Sequence, residues 1–160
     1  MDSQLQTQIV DGGVGFAVVR LNTVTDELEE RDFECELRLD GEGMPYLLAK
    51  KGDHVFRFTY YEADEEYDAY VLNVSMIIDW DPSANGIGED VDEFMRMFNH
   101  NSIYGMAEFF PEENLVELRV QSLEQGGMNE GSYYEKLTEL LLMNEDIFLA
   151  ETVDFLSDGD

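Results

Sequence analysis

The sequence predicts an α+β fold, in which an antiparallel sheet made of a meander and a hairpin carries helices packed on one face. Two observations lead to this prediction. Apolar and polar residues alternate over much of residues 33–78 and 104–122, as in half-buried strands. Three other segments carry apolar residues at spacings of three and four, as in amphipathic helices. Strands and helices in separate blocks favour α+β over alternating α/β.

The first periodic segment, "VGFAVVRLNTVTDELEERDFE", has two interpretations. One helix face would carry five apolar residues, namely Val14, Val18, Leu21, Val24 and Leu28. Alternatively, "GFAVVRL" is a short strand, and a helix begins after an N-cap at Thr23 with Asp26 three residues later. We favour a helix over at least residues 23–32.

An antiparallel meander is predicted next. "FECELRLD" alternates strictly and is followed by the turn "GEG". "MPYLLAKK" and "HVFRFTYY" form a hairpin around Gly52 and Asp53. The acidic segment "EADEEYD" is a solvated turn, and "AYVLNVSMII" is a longer strand. This strand is apolar on both faces near its end, which indicates a central or covered position.

The second half of the chain predicts two helices around a hairpin. "VDEFMRMFNHN" is helical, "YGMAEFF" and "NLVELRVQS" pair across "PEE", and "YYEKLTELLLMNEDIFLAETVDF" is a long helix. No internal repeat and no linker rich in Pro or Ser is present, so we expect one domain over residues 1–160. Residues 1–12 and 156–160 are expected to be flexible.

The charge balance restricts the partners. The chain has 37 Asp and Glu against 9 Lys and Arg, a formal net charge of −28. Such a surface repels phosphate backbones and anionic membranes, so we expect neither nucleic acid nor membrane as a partner. A basic protein partner or a cation is compatible with it. Solubility and adaptation to high salt are alternative explanations of the acidity.

The remaining composition indicates a reduced, cytoplasmic protein. Cys35 is the only cysteine, so no internal disulfide can form. The segment "MDSQLQTQIVDGG" lacks the basic start and apolar run of a signal peptide. No apolar run approaches the 18 residues or so that a membrane span requires.

No catalytic residue and no cofactor is predicted. Only two histidines occur, and we expect structural or surface roles for both His54 and His100. The sequence contains no zinc-binding spacing, no nucleophile elbow and no phosphate-binding glycine pattern. Carboxylate pairs are so frequent in this chain that no particular pair indicates catalysis. An enzyme with dispersed carboxylates is the least favoured alternative.

A calcium loop is the strongest candidate for a metal site. In "DWDPSANGIGEDVDEF" the ligand positions 1, 3, 5, 9 and 12, with glycine at 6, would fall on Asp81, Ser83, Asn85, Glu89, Asp92 and Gly86. Pro82, Gly88, the short Asp92 side chain and the preceding strand depart from the calcium-loop pattern. The metal prediction is therefore none, with Asp81, Asn85 and Asp92 as a minority candidate.

A structural role accounts for the same acids. Asp90 is a suitable N-cap for the helix that follows, and Glu93 three residues later would complete a capping box. Asp92 and Glu93 would also interact favourably with the positive end of the helix dipole. We favour this interpretation over the ion site.

The ordered pattern resembles a known family. The segments "LEERDFE", "GMPYLLA", "GDHVFRFTYYE" and "VDEFMRMFNHNSIYGMAEFFPEENLVELRVQSL", followed by "YYEKLTELLLMNEDIFLAE", are similar to the YbjN-like family of bacterial proteins, described as sensory transduction regulators. That family resembles the type III secretion chaperones in fold. The resemblance covers about residues 22–152, and its central marker is the helix end "FNHN" before a strand.

The resemblance implies a chaperone-like α+β sheet, a homodimer, and binding of extended protein segments. We therefore expect a non-enzymatic regulatory or protein-interaction module with a protein partner, basic or presented as an extended segment. Candidate partner-binding residues are Phe94, Met95, Met97 and Phe98 of the second helix, whose competing role is core packing. A calcium-responsive protein that uses residues 81–92 is the alternative function.

Overall fold

The structure is a computed structural model. It describes residues 15–64, 66–67, 69–102, 105–125 and 132–158, with the side chains of residues 62–64 and 156–158 left undescribed. The elements in chain order are α1 Gly15–Glu29, β1 Glu34–Leu39, β2 Pro45–Lys51, β3 His54–Asp64, β4 Ala69–Asp79, a 3₁₀ turn Gly88–Asp90, α2 Val91–Asn101, β5 Met106–Phe110, β6 Leu115–Gln125 and α3 Tyr133–Asp158. The strands form one antiparallel sheet in the order β1-β2-β3-β4-β6-β5. The predicted α+β class is confirmed.

The chain divides into two compact units. The first consists of residues 1–74 and 121–138, and the second of residues 75–120 and 139–160. The expectation of a single domain stays a prediction. No helix in the described part of the chain is long and apolar enough to cross a membrane.

In the first unit, α1 is one continuous helix, so the interpretation with a single helix is correct. Four of the five predicted apolar residues are fully buried, namely Val18, Leu21, Val24 and Leu28. The fifth, Val14, lies outside the described residues. Thr23, the N-cap of the other interpretation, lies within the helix and donates its hydroxyl to the carbonyl of Val19 at 3.4 Å.

The end of α1 is a Schellman-type cap. The N–H of Phe33 donates to the carbonyl of Leu28 at 3.1 Å, and the N–H of Asp32 donates to the carbonyl of Glu29 at 3.3 Å. Asp32 has a φ of 68°, the left-handed conformation that this cap requires. The predicted helix over residues 23–32 therefore stops earlier, because its last residues form the cap.

The strands of the first unit pair as the sequence predicts. The register of β1 and β2 places Cys35 opposite Ala49, and that of β2 and β3 places Ala49 opposite Phe56. Leu47 and Phe58 are also register partners, and both are fully buried. Gly52, in the predicted two-residue turn, has a φ of +62° that glycine adopts without steric cost. These residues form the core face of β1, β2 and β3.

The end of β3 differs from the prediction. β3 continues to Asp64, so the acidic turn is shorter than "EADEEYD" suggested. The predicted covered strand is confirmed, because residues 72–76 of β4 are all buried. This burial agrees with the position of β4 between β3 and β6 in the strand order.

The core of the second unit is aromatic. The ring of Trp80, which is the only tryptophan, lies 5.6 Å from that of Phe94, 5.5 Å from that of Phe109 and 5.0 Å from that of Phe148. Phe98 packs on Phe148 with ring centroids 5.1 Å apart. Phe94 of α2 and Phe148 of α3 thus meet at one indole ring.

Asn99 joins α2 to β5. The side-chain amide of Asn99 donates to the carbonyl of Ala107 at 2.9 Å, and the N–H of Ala107 donates to Asn99 Oδ1 at 2.8 Å. Ala107 also faces Leu118 in the register of β5 and β6. The "FNHN" helix end therefore has a definite structural role at one edge strand.

Candidate functional site

The best candidate site is the face of β1, β2 and β3 that points away from their buried core face. Because side chains alternate along a strand, the residues between the core positions share this second face. They are all exposed or half-buried, and we call this surface the open face: Glu34, Glu36, Arg38, Tyr46, Leu48, Lys50, Val55 and Arg57. The open face lies wholly within the first unit.

A depression of about 500 Å³ lies on this surface. Its lining consists of the open face without Tyr46 and Arg57, together with Cys35. Leu48 and Val55 supply apolar surface, and Val55 is 45% exposed. Charged residues of β1 and β2 surround them. The depression can therefore hold apolar groups while its charged residues orient them.

On the open face, one arginine forms an ion pair and another contacts an aromatic ring. Arg38 binds Glu36, with Nη2 at 2.8 Å from Oε2. This hydrogen bond lowers the pKa of Glu36 and raises that of Arg38. The Arg57 guanidinium lies 4.0 Å from the centre of the Tyr46 ring, a cation–π contact that holds Arg57 against the sheet.

Cys35 is a poor nucleophile in this structure. It is half-buried, and burial raises the pKa of its thiol to about 11, with a smaller contribution from the charge of Glu29. The thiol is therefore protonated at neutral pH, and reactive thiolate chemistry has no support here. The Cys35 side chain lies on the core face with its register partner Ala49, so its thiol does not project from the open face into the depression.

A cluster of polar side chains in the first unit is buried and is not accessible to ligands. Glu124 is 1% exposed, and its carboxylate accepts hydrogen bonds from Arg20 at 2.8 Å, from Tyr60 at 2.7 and 2.8 Å and from Tyr134 at 2.6 Å. We call Arg20, Tyr60, Glu124 and Tyr134 the buried polar cluster. Burial, and next the hydrogen bond with Glu124, raise the pKa of Tyr60. Both carboxylate oxygens are occupied, so the cluster anchors the first unit.

Known proteins offer a distant comparison. No family model and no curated protein matches the chain. Among solved structures, that of YbjN, "a putative transcription regulator from E. coli", is similar to it with a TM-score of 0.43 and 16% sequence identity. The similarity covers 86% of this chain and 93% of the YbjN chain. Membership of the YbjN-like family and a relation to secretion chaperones stay predictions.

The predicted partner-binding residues of α2 lie mainly in the core. Phe94, Met95 and Phe98 are at most 8% exposed. Met97 is half-buried and lies off their stripe. Core packing thus accounts for three of the four side chains, and they offer almost no surface to a partner in this structure. The open face, which the sequence did not single out, is the better candidate.

The segment around Asp81 forms a local turn. Asp81 Oδ1 accepts the N–H of Ser83 at 2.9 Å, and Asn85 donates its side-chain amide to the carbonyl of Asp81 at 2.8 Å. Among the described residues, no group of three or more His, Cys, Asp or Glu is placed to hold a metal ion. The minority candidate of Asp81, Asn85 and Asp92 stays a prediction.

The predicted capping box at the start of α2 is wrong. Asp90 occupies the N-cap position, but its side chain makes no capping hydrogen bond. Its N–H donates to the carbonyl of Ile87 at 3.1 Å, within the 3₁₀ turn that leads into α2. The N–H of Asp90 is therefore already bonded and is not available to the Glu93 carboxylate. Asp92 and Glu93 still lie in the first helical turn, where the helix dipole favours acids.

Both histidines lie outside the open face. His54 begins β3, is half-buried, and its ring centre lies 6.3 Å from that of Phe56. His100 is exposed in the last turn of α2. These positions agree with the structural and surface roles that the sequence indicates.

Proposed function

We propose that the chain is a non-enzymatic protein-interaction module that holds a segment of a protein partner in the depression on the open face. The observation that carries this proposal is the apolar pair of half-buried Leu48 and exposed Val55 inside a charged border. The depression is shallow and open, so side chains projecting from an extended segment fit it better than an enclosed small molecule.

Apolar contact would supply most of the affinity. Covering exposed apolar area contributes about 25 cal/mol per Å² before the costs of association are subtracted. The charged residues at the border would mainly fix the register and orientation of the segment. We place this activity in the cytoplasm and in a homodimer, as the resemblance to regulators and secretion chaperones implies.

A displayed library of random ten-residue peptides, selected on the purified protein, tests the proposal. Selected peptides are then measured in solution by fluorescence anisotropy, and hydrogen exchange locates the contact. We expect protection of β1, β2 and β3 amides when peptide is bound.

A matched pair of variants completes the test. Leu48→Asn with Val55→Thr keeps the side-chain shapes but removes apolar surface, and we expect binding to weaken about tenfold. Leu123→Asn is the control, because Leu123 is 65% exposed in β6 and does not line the depression. The proposal is overturned if no selected peptide binds in solution or if the double variant binds as tightly as the original protein.

A further inference from the structure

Basic residues are rare in this chain, and their distribution is informative. Five of the 9 Lys and Arg form ion pairs, namely Arg20, Arg31, Arg38, Lys51 and Arg119. The other four form no ion pair with any residue that the structure describes: Lys50, Arg57, Arg96 and Lys136. In a chain with 37 acids, a basic side chain without an acidic partner is unexpected.

Two of these four lie together on the open face. In the register of β2 and β3, Lys50 faces Val55 and Arg57 faces Leu48, so the two cations are diagonal neighbours on adjacent strands. Glu34 faces Lys50 across β1 and β2, yet no ion pair forms between them. With Arg38, the open face holds three cations against the carboxylates of Glu34 and Glu36. Asp40, which follows β1, is also attracted to Arg57, so three cations meet three carboxylates on and beside this face, on a protein of net charge −28.

The apolar pair of the depression lies in the same two strands. Leu48 and Val55 are the register partners of Arg57 and Lys50, so each apolar side chain has a cation directly beside it. The Tyr46 ring holds the Arg57 guanidinium in place at 4.0 Å. A planar guanidinium that is already held in position can donate two parallel hydrogen bonds to a carboxylate.

We propose that the segment held on the open face is acidic, with carboxylates that pair with Lys50 and Arg57 and apolar side chains that cover Leu48 and Val55. This deepens the proposed function and rests on it. The proposal differs from the basic partner that the net charge suggests, because local pairing decides which side chains fit a contact surface. Exposed pairs contribute little each, so they select the partner while apolar contact holds it.

Three labelled peptides test the chemistry of the partner. Each contains the core Val-Xaa-Val-Xaa-Val flanked by Gly and Ser, with Xaa as Glu, Gln or Lys. Fluorescence anisotropy is measured at about 0.15 M salt, where the Debye length of about 8 Å limits non-specific attraction of the Lys peptide to the acidic protein. We expect the Glu peptide to bind about fivefold to tenfold more tightly than the Gln peptide, and the Lys peptide to bind most weakly.

Two double variants separate local pairing from net charge. Lys50→Gln with Arg57→Gln should abolish the preference for the Glu peptide over the Gln peptide. Arg96→Gln with Lys136→Gln removes the same two charges from unpaired positions on helices and should leave the preference intact. Urea unfolding of both variants checks that they remain folded.

The outcomes are distinguishable from those of the library experiment. The acidic-segment proposal is overturned if the Lys or Gln peptide binds as tightly as the Glu peptide, if none of the three binds, or if the two double variants lose the preference equally. Peptides selected from the library would still bind the open face if only the acidic preference were wrong. Failure of that selection would overturn both proposals.

Discussion

The carboxylate of Glu27 in α1 accepts the N–H of Tyr134 at the start of α3, with Oε2 2.9 Å from the nitrogen. The N–H of Glu135 donates to the same oxygen at 3.3 Å. The first N–H groups of a helix have no partner within the helix, so α1 supplies the cap that α3 lacks. Arg31 and Lys51 each approach the Glu135 carboxylate at 3.6 Å and reinforce this junction.

The Glu27→Gln variant should gain stability relative to the original protein as the pH rises. Burial raises the pKa of Glu27 above its ordinary value of 4.5, despite the two N–H donors. A raised folded-state pKa gives stability that is complete below the unfolded pKa and is lost as the pH rises through the folded value. Gln keeps a carbonyl acceptor and does not ionise, so it avoids this loss.

Urea unfolding between about pH 5 and pH 8 measures the difference in free energy of unfolding between Glu27→Gln and the original protein. This range lies above the sequence pI of about 4.1, where solubility is lowest. Glu27→Ala is the companion variant, because it removes the acceptor altogether. We expect it to cost about 1 kcal/mol, as loss of a helix cap does. A Gln variant that became less stable relative to the original protein with rising pH would contradict the assigned direction.

Loss of the Glu124 carboxylate should destabilise the protein strongly. Glu124→Ala leaves the buried Arg20 guanidinium without its carboxylate, 2.8 Å away in the structure. Removal of one partner of a buried pair typically costs about 3–5 kcal/mol. Denaturant unfolding followed by circular dichroism measures this change.

Two further variants separate charge from packing in the buried polar cluster. Tyr60→Phe removes one donor to Glu124 and should cost about 1.5–3 kcal/mol, as for a hydrogen bond to a charged group. Arg20→Met combined with Glu124→Leu removes both charges and should recover much of the loss seen in Glu124→Ala. If the double variant were as unstable as Glu124→Ala, an unpaired buried charge would not explain the effect.

Gly105→Ala should destabilise the second unit. A Cβ at this position would lie 2.5 Å from the carbonyl oxygen of Arg119 and 2.7 Å from the side-chain nitrogen of Asn144. The carbonyl belongs to a strand backbone and cannot move cheaply, so we expect a loss of about 1–3 kcal/mol. Trp80 fluorescence during urea unfolding reports on the same unit.

Gly41→Ala is the matched control for Gly105→Ala. A Cβ at Gly41 meets nothing within 4 Å, and the substitution should change stability by no more than about 0.5 kcal/mol. Equal losses at the two positions would show that close approach of the chain is not the cause.

Alkylation of Cys35 by iodoacetamide should be slow and should accelerate far into the alkaline range. Burial raises the thiol pKa from 9.0 to about 11, which lowers the thiolate fraction near neutral pH about a hundredfold. The rate should rise about tenfold per pH unit up to about pH 10, because the thiolate is the nucleophile. The urea-unfolded protein is the control, and a plateau near pH 9 in the folded protein would contradict the assignment.

The fold was largely predictable because its signals are local. Alternation in β1 to β4 and spacings of three and four in α2 and α3 are set by neighbouring residues in sequence. The cap at the start of α2 was predicted wrongly, because the N–H of Asp90 donates to the carbonyl of Ile87 within a 3₁₀ turn and not to a side chain. The end of α1 was also missed, because Asp32 is not glycine and its left-handed backbone left no compositional signal.

The candidate site was harder to predict because it depends on register. Lys50 and Arg57 become neighbours only when β2 and β3 pair, and whether each forms an ion pair with a neighbouring acid is a property of the folded chain. The buried polar cluster did leave one signal. Glu124 continues the alternation of Val116, Leu118, Val120 and Ser122, so extending the strand would have placed an acid at a core position.

Asn99 has a consequence for how copies of this protein behave in crowded solution. β5 is an end strand of the sheet, and end strands expose N–H and C=O groups that can recruit a strand from another molecule. The Asn99 amide bonds both groups of Ala107 and so imitates the backbone of a further strand. At this position the edge of the sheet is not free to pair with a strand of another molecule. The protection comes from one side chain and requires no additional strand.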